Sequence, residues 1–161
     1  LKLGVLPEKI QAGLSQFRNI SGRQEIIQAG GMTIIKDCYN AGPESMAAAR
    51  AVLGKKQGRR IAVLGDMLEL GDCTQAEHYR IGRLAVGKAD LLLTYGEHSV
   101  RTLTGAITGG MNPKNTDHFD THEDMARMLK MRVSEGDVVL FKGSRGMRME
   151  KVLQLFLDDK K

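Results

Sequence analysis

The chain lacks tryptophan and has only three tyrosines and four phenylalanines, so aliphatic side chains and its nine methionines must fill any core. Two cysteines, Cys38 and Cys73, are too few for a disulfide framework, which points to a reducing compartment and a cytoplasmic protein. No apolar run approaches the length of a bilayer-crossing helix, and no basic-then-apolar leader opens the sequence. There is no G-x-G-x-x-G dinucleotide fingerprint. Gly82–Ala89 nearly matches a phosphate-binding P-loop, but Ala89 lacks the hydroxyl that would hold magnesium, and the segment ends a helix instead of joining strand to helix. His78, His98, His118 and His122 do not form a metal set, and neither cysteine has a close ligand partner. His78 reads as a residue that packs or hydrogen-bonds on its own helix.

The 161 residues allow one full domain with room for a piece of another. Basic residues exceed acidic ones by 24 to 19, a net charge of +5. They are scattered and not interleaved with aromatic platforms, which argues against nucleic acid and suits phosphate-bearing small molecules.

Arg60–Gly71 is the most informative stretch. Ile61 to Leu64 form an apolar run without alternation, the pattern of a parallel strand covered on both faces. Gly65 permits a sharp exit and Asp66 appears just beyond it, where ligands bind in open α/β sheets. Asp66 is therefore a candidate contact; the other reading is that it caps or orders the loop.

The remainder follows in order. Pro7 suits a helix start, with Ile10, Leu14 and Phe17 at helical spacing. Asn19–Gly22 reads as a loop, and residues 24–27 and 32–36 as a hairpin across Gly30-Gly31. A lone helix and hairpin cannot bury a core, so this opening reads as the tail of another domain. Pro43 opens a helix to Leu53, ended by Gly54. Strands at 61–64, 91–94, 118–119 and 138–141 then alternate with helices at 74–86, 99–107, 123–131 and 147–157. Thr121 with Asp124 resembles a capping box. The alternation predicts an α/β fold with a parallel, Rossmann-like sheet and right-handed crossovers.

Four loops then meet at one sheet edge: 65–67, 95–97, 120–122 and 142–145. The last is richest. Lys142, Ser144 and Arg145, with amides freed at the following helix start, could hold an anion, and Arg145 could grip a carboxylate. Alternatively, Ser144 is an N-cap and Lys142 a solvated strand end.

Several motifs occur in a fixed order: Gly22-Arg23, Asp37-x-Tyr39-Asn40-Ala41-x-Pro43-x-Ser45, Val63-Leu64-Gly65-Asp66-Met67-x-Glu69-Leu70-Gly71, and Lys142-Gly143-Ser144-Arg145 with Met149-Glu150. Together they resemble the Mur ligase family across essentially the whole chain. The resemblance implies that residues 1–39 are the end of a central ATP-binding domain and that 40–161 are the C-terminal domain. The implied activity is an ATP- and magnesium-dependent, amide-forming step of peptidoglycan synthesis. The carboxylate of UDP-MurNAc-tripeptide is phosphorylated, and the amine of D-Ala-D-Ala attacks the acyl phosphate.

By the same resemblance Arg23 lies near the ATP phosphates and Asp37 at the ribose, with Tyr39 and Asn40 in the turn beside the nucleotide. Asp66, Lys142, Ser144 and Arg145 supply second-substrate contacts. The phosphate loop, a carboxylated lysine, the magnesium ligands and a UDP-binding domain are expected upstream of Leu1, so the chain alone is expected not to turn over. The family often has Asn at the position of Gly42 and an acidic residue at that of Lys36. Two alternatives stand beside this reading: a non-catalytic small-molecule-binding module on the same edge, and a related amide ligase of folylpolyglutamate or cyanophycin type.

Overall fold

A computed structural model describes residues 4–15 and 23–158. Phe17, the Asn19–Gly22 loop and the side chain of Leu14 lie outside the described residues. The first helix, α1 (Pro7–Ser15), starts at its proline, and its described side chains are exposed.

Strands β1 (Glu25–Ala29) and β2 (Met32–Asp37) pair antiparallel across Gly30 and Gly31. Those glycines have φ of 55° and 72°, the twist a two-residue hairpin needs. The chain continues through α2 (Pro43–Leu53), β3 (Arg60–Gly65), α3 (Thr74–Ala85), β4 (Leu91–Tyr95), α4 (Ser99–Thr108), β5 (Thr116–Phe119), α5 (His122–Arg132), β6 (Val138–Lys142) and α6 (Met149–Leu157).

One six-stranded sheet results, in the order β1-β2-β6-β3-β4-β5, parallel except for edge strand β1. Connections from β2 through β5 run one way across the sheet, and the return from β5 to β6 runs back. With right-handed crossovers, reversal puts the helices on opposite faces. Accordingly, Ala62, Leu64 and Leu92 pack with Met46 and Leu53 of α2, Ile81 of α3 and Ala106 of α4. Ile61, Val63 and Leu93 face the other way, onto Met125 and Leu129 of α5 and Val152 and Phe156 of α6. Burial on both faces explains why these strands read as continuous apolar runs.

Two expectations change. The hairpin, read as the tail of another domain, is built into this sheet: β2 pairs with β6 from Thr33↔Val138 to Asp37↔Lys142. Its alternation is local, whereas the partner that buries it lies about a hundred residues on, so sequence proximity conceals the pairing. A division after residue 39 would fall just beyond a strand of the main sheet. The last helix also starts later than expected. Arg145–Met147 forms a 3₁₀ turn, and Arg148 at φ 48° breaks it from α6.

Candidate functional site

The parallel strands end at one edge, and β2 adds a fifth exit to the four that the sequence indicates. Two cavities lie there. The first, about 500 Å³, opens beyond β2 and β6 at the start of α2, and its walls include Arg23, Gln24, Asp37, Ser45 and Lys142. The second, about 370 Å³, includes Leu68, Glu69, Ser144 and Arg145. Tyr39 and Asn40 belong to both and stand between them.

Beneath the cavities is a set of buried polar contacts. Lys142 is the register partner of Asp37, so the two side chains leave the sheet side by side. Lys142 Nζ donates to Asp37 Oδ2 at 2.8 Å and to the Asn40 carbonyl at 2.9 Å. Ser144 Oγ accepts from the Leu68 amide at 2.9 Å and donates to the Ala41 carbonyl at 3.1 Å. The Ser144 amide reaches the Asp66 carbonyl at 2.9 Å. The loops after β2, β3 and β6 are thereby tied together.

Asp66 faces inward. Its Oδ1 accepts from the Ser99 amide at 2.7 Å and its Oδ2 from the His98 amide at 3.1 Å, capping α4 from a neighbouring strand. Gly96, at φ 108°, permits this approach; a Cβ there would strike the Asp66 carboxylate. His78 completes the brace: its Nε2 accepts from the Met67 amide at 3.0 Å, and its Nδ1 lies 2.7 Å from the Thr74 carbonyl. An amide can only donate and a carbonyl only accept, so His78 is the neutral Nδ1–H tautomer. Burial, the largest influence, lowers its pKa. The 3.8 Å approach of Asp66 to His78 Nε2 is therefore a contact with a lone pair, not an ion pair.

The sequence candidates divide accordingly. Asp66, Lys142 and Ser144, expected as substrate contacts, are buried with their polar atoms engaged inside the protein. The capping alternative describes Asp66; neither alternative fits Lys142, which is not solvated, or Ser144, whose hydroxyl ties loops instead of capping its turn. The amides of Met147 and Arg148 close the 3₁₀ turn onto the carbonyls of Ser144 and Arg145. Arg145 is different: its side chain is 71% exposed, with one ion pair to Glu150 at 3.2 Å. Arg23 stacks on the Tyr39 ring, 4.4 Å from its centroid, at the mouth of the first cavity. Asn40 Oδ1 accepts from the Ala41 amide, and extended Gly42 starts α2 with Ser45 Oγ bonded to its backbone. Leu68 and Glu69, which are not among the contacts the sequence points to, line the second cavity; the signal for Glu69 is its place in the Val63–Gly71 motif.

Cys38 is no nucleophile, because burial pushes its thiol up to about 12. Among the described residues no group of three or more His, Cys, Asp or Glu could hold a metal ion. No helix of the described residues is long and apolar enough to cross a membrane.

Residues 22–145 match the family model described as Mur ligase, glutamate ligase domain. The Bacillus subtilis UDP-N-acetylmuramoyl-tripeptide–D-alanyl-D-alanine ligase is 36% identical over 155 residues, covering 94% of this chain and 34% of that protein. A crystal structure of MurF from Acinetobacter baumannii superimposes with TM-score 0.82 at 33% identity, covering 97% of this chain and 35% of that one. MurF ligase from Thermotoga maritima, crystallised in complex with ADP, gives TM-score 0.76 at 31% identity over 89% of this chain and 32% of that one. The chain thus spans about a third of the relatives it matches. The matched model, the shared sheet and the ordered motifs at its edge make this chain a member of the Mur ligase family.

Proposed function

We propose that this chain is the acceptor-side domain of a cytoplasmic ligase that joins D-Ala-D-Ala to UDP-MurNAc-tripeptide at the expense of ATP. The observation that carries the reading is the pair of cavities divided by Tyr39 and Asn40, each with an arginine at its wall. The names of the relatives, and the ADP in one of them, support it.

In this reading ATP supplies the phosphoryl group that activates the tripeptide carboxylate, and the dipeptide amine displaces it. The first cavity fits a nucleotide's polar portion: Arg23 offers a cation for phosphate, Asn40 and Tyr39 flank the opening, and Asp37 lies at its floor. Arg145 holds the dipeptide carboxylate in the second. Lys142, Ser144 and Asp66 fix the loops that place these groups, so their contribution is positioning. The remaining length of the enzyme supplies the magnesium ligands and phosphate loop. Of residues 1–39, α1, exposed along its described length, is the part that belongs with a preceding ATP-binding domain.

Phosphate release by the complete ligase, with ATP, magnesium and UDP-MurNAc-tripeptide, tests the reading. Release that requires D-Ala-D-Ala is the expected result; release indifferent to the dipeptide contradicts it. The isolated chain is expected to show no ATP-dependent ligation.

A further inference from the structure

The burial of Asp66 leaves the dipeptide's ammonium without the partner that the sequence offered. Resting on the ligase reading above, we infer that Glu69 takes that role, with Arg145 at the carboxylate and Leu68 against the side-chain methyl. Glu69 and Arg145 are the carboxylate and the cation that line the second cavity, and Leu68 is its exposed apolar neighbour.

Three observations carry the assignment. First, Glu69 sits at φ 64°, in the left-handed region that disfavours residues with a Cβ. A residue held there at a cavity wall is the kind of outlier that accompanies function. Second, the loop is braced immediately before it: the Met67 amide is bound by His78 Nε2 and the Leu68 amide by Ser144 Oγ. The backbone presenting Glu69 is thus fixed by partners from α3 and from the loop after β6. Third, two neighbouring side-chain oxygens are occupied. Ser144 Oγ and Asn40 Oδ1 bond within the protein, whereas Arg145, bonded through Nη1 alone to Glu150 and 71% exposed, keeps guanidinium N–H groups for a carboxylate. Glu69 is exposed and has no ion pair or side-chain hydrogen bond among the described residues. A zwitterion with a small apolar side chain matches this arrangement of charges. The carboxylate accepts a hydrogen bond from the ammonium and from the neutral amine, so binding persists when the amine loses its proton before attack.

The test uses the complete ligase at saturating ATP and UDP-MurNAc-tripeptide, with D-Ala-D-Ala varied. Glu69→Gln is expected to raise the dipeptide KM about tenfold, the scale of one lost charge-assisted hydrogen bond, and to leave the KM for ATP unchanged. Glu69→Asp, which keeps the charge, is expected to fall between. D-lactoyl-D-alanine, with hydroxyl in place of ammonium, should compete poorly in the parent enzyme, and Glu69→Gln should narrow that discrimination. An unchanged dipeptide KM in Glu69→Gln, or equal rises for both substrates, overturns the inference while dipeptide-dependent turnover still stands. A parent enzyme without dipeptide-dependent release overturns the ligase reading itself, and this inference with it.

Discussion

Lys142 Nζ and Asp37 Oδ2 meet at 2.8 Å across 105 positions of sequence, with 2% and 10% of their side chains exposed. The pair joins the end of the hairpin to the end of β6 and sets the floor of the first cavity. Removing one member leaves the other charge buried. Lys142→Met should therefore lower stability by about 3–5 kcal/mol in urea denaturation. The double variant Lys142→Met with Asp37→Leu should recover much of that loss, because no lone charge remains. If the double variant loses as much as the sum of the singles, the pair is not the coupled unit described here.

Asp66→Ala removes the carboxylate that accepts two α4 amides and leaves both donors unpaired. A loss of about 2 kcal/mol or more is expected, above that of an exposed cap. Hydrogen exchange should show the first turn of α4 opening before the rest of the helix. An Asp66→Ala protein of unchanged stability and exchange would place this carboxylate elsewhere.

His78 predicts a pH dependence. Its folded pKa is lowered, chiefly by burial, from an ordinary value of 6.5. The unfolded chain therefore takes up the proton first, and the contribution of His78 is fully present above that value. It is lost as pH falls from there through the folded pKa. Protonation also places a donor on Nε2 against the Met67 amide. Denaturation midpoints across that range should fall more steeply for the parent chain than for His78→Gln. Equal slopes would contradict the neutral tautomer.

Gly82 and Gly105 mark the contact of α3 with α4. A Cβ on Gly82 would strike the Thr102 carbonyl, and one on Gly105 the Tyr79 carbonyl. Because backbone stands in the way, Gly82→Ala and Gly105→Ala should each cost about 1–3 kcal/mol, or more, despite alanine's better helix propensity. Thermal unfolding of the two variants checks this; a rise in Tm would refute the close packing.

The same glycine shows what was legible in the sequence. Gly82 opens the near-match to a phosphate loop, but it lies within α3 and its role is packing. The parallel strands were readable because burial on both faces removes alternation, as in Ile61–Leu64. His78 was readable as a residue bonded on its own helix through Thr74, but its bond to Met67 was not. The placement of the hairpin was hidden because Asp37 and Lys142 pair at long range. Asp66, Ser144 and Lys142 stood at the right edge, yet a strand-exit position does not reveal which way a side chain turns. Asp66 turned inward because α4 starts beside it with unpaired amides. Its place in the motif does not single out Glu69 as a contact, because its positive φ belongs to the folded loop.

The central claim is that two cavities, parted by Tyr39 and Asn40, take two different substrates. Initial rates of the complete ligase carrying Arg23→Ala or Arg145→Ala test it most directly, with ATP and D-Ala-D-Ala varied in turn. Arg23→Ala should raise the KM for ATP and leave that for D-Ala-D-Ala unchanged, and Arg145→Ala should do the reverse, each by about tenfold or more. If both variants shift the two constants alike, or if neither shifts, the division of the site between nucleotide and dipeptide is contradicted.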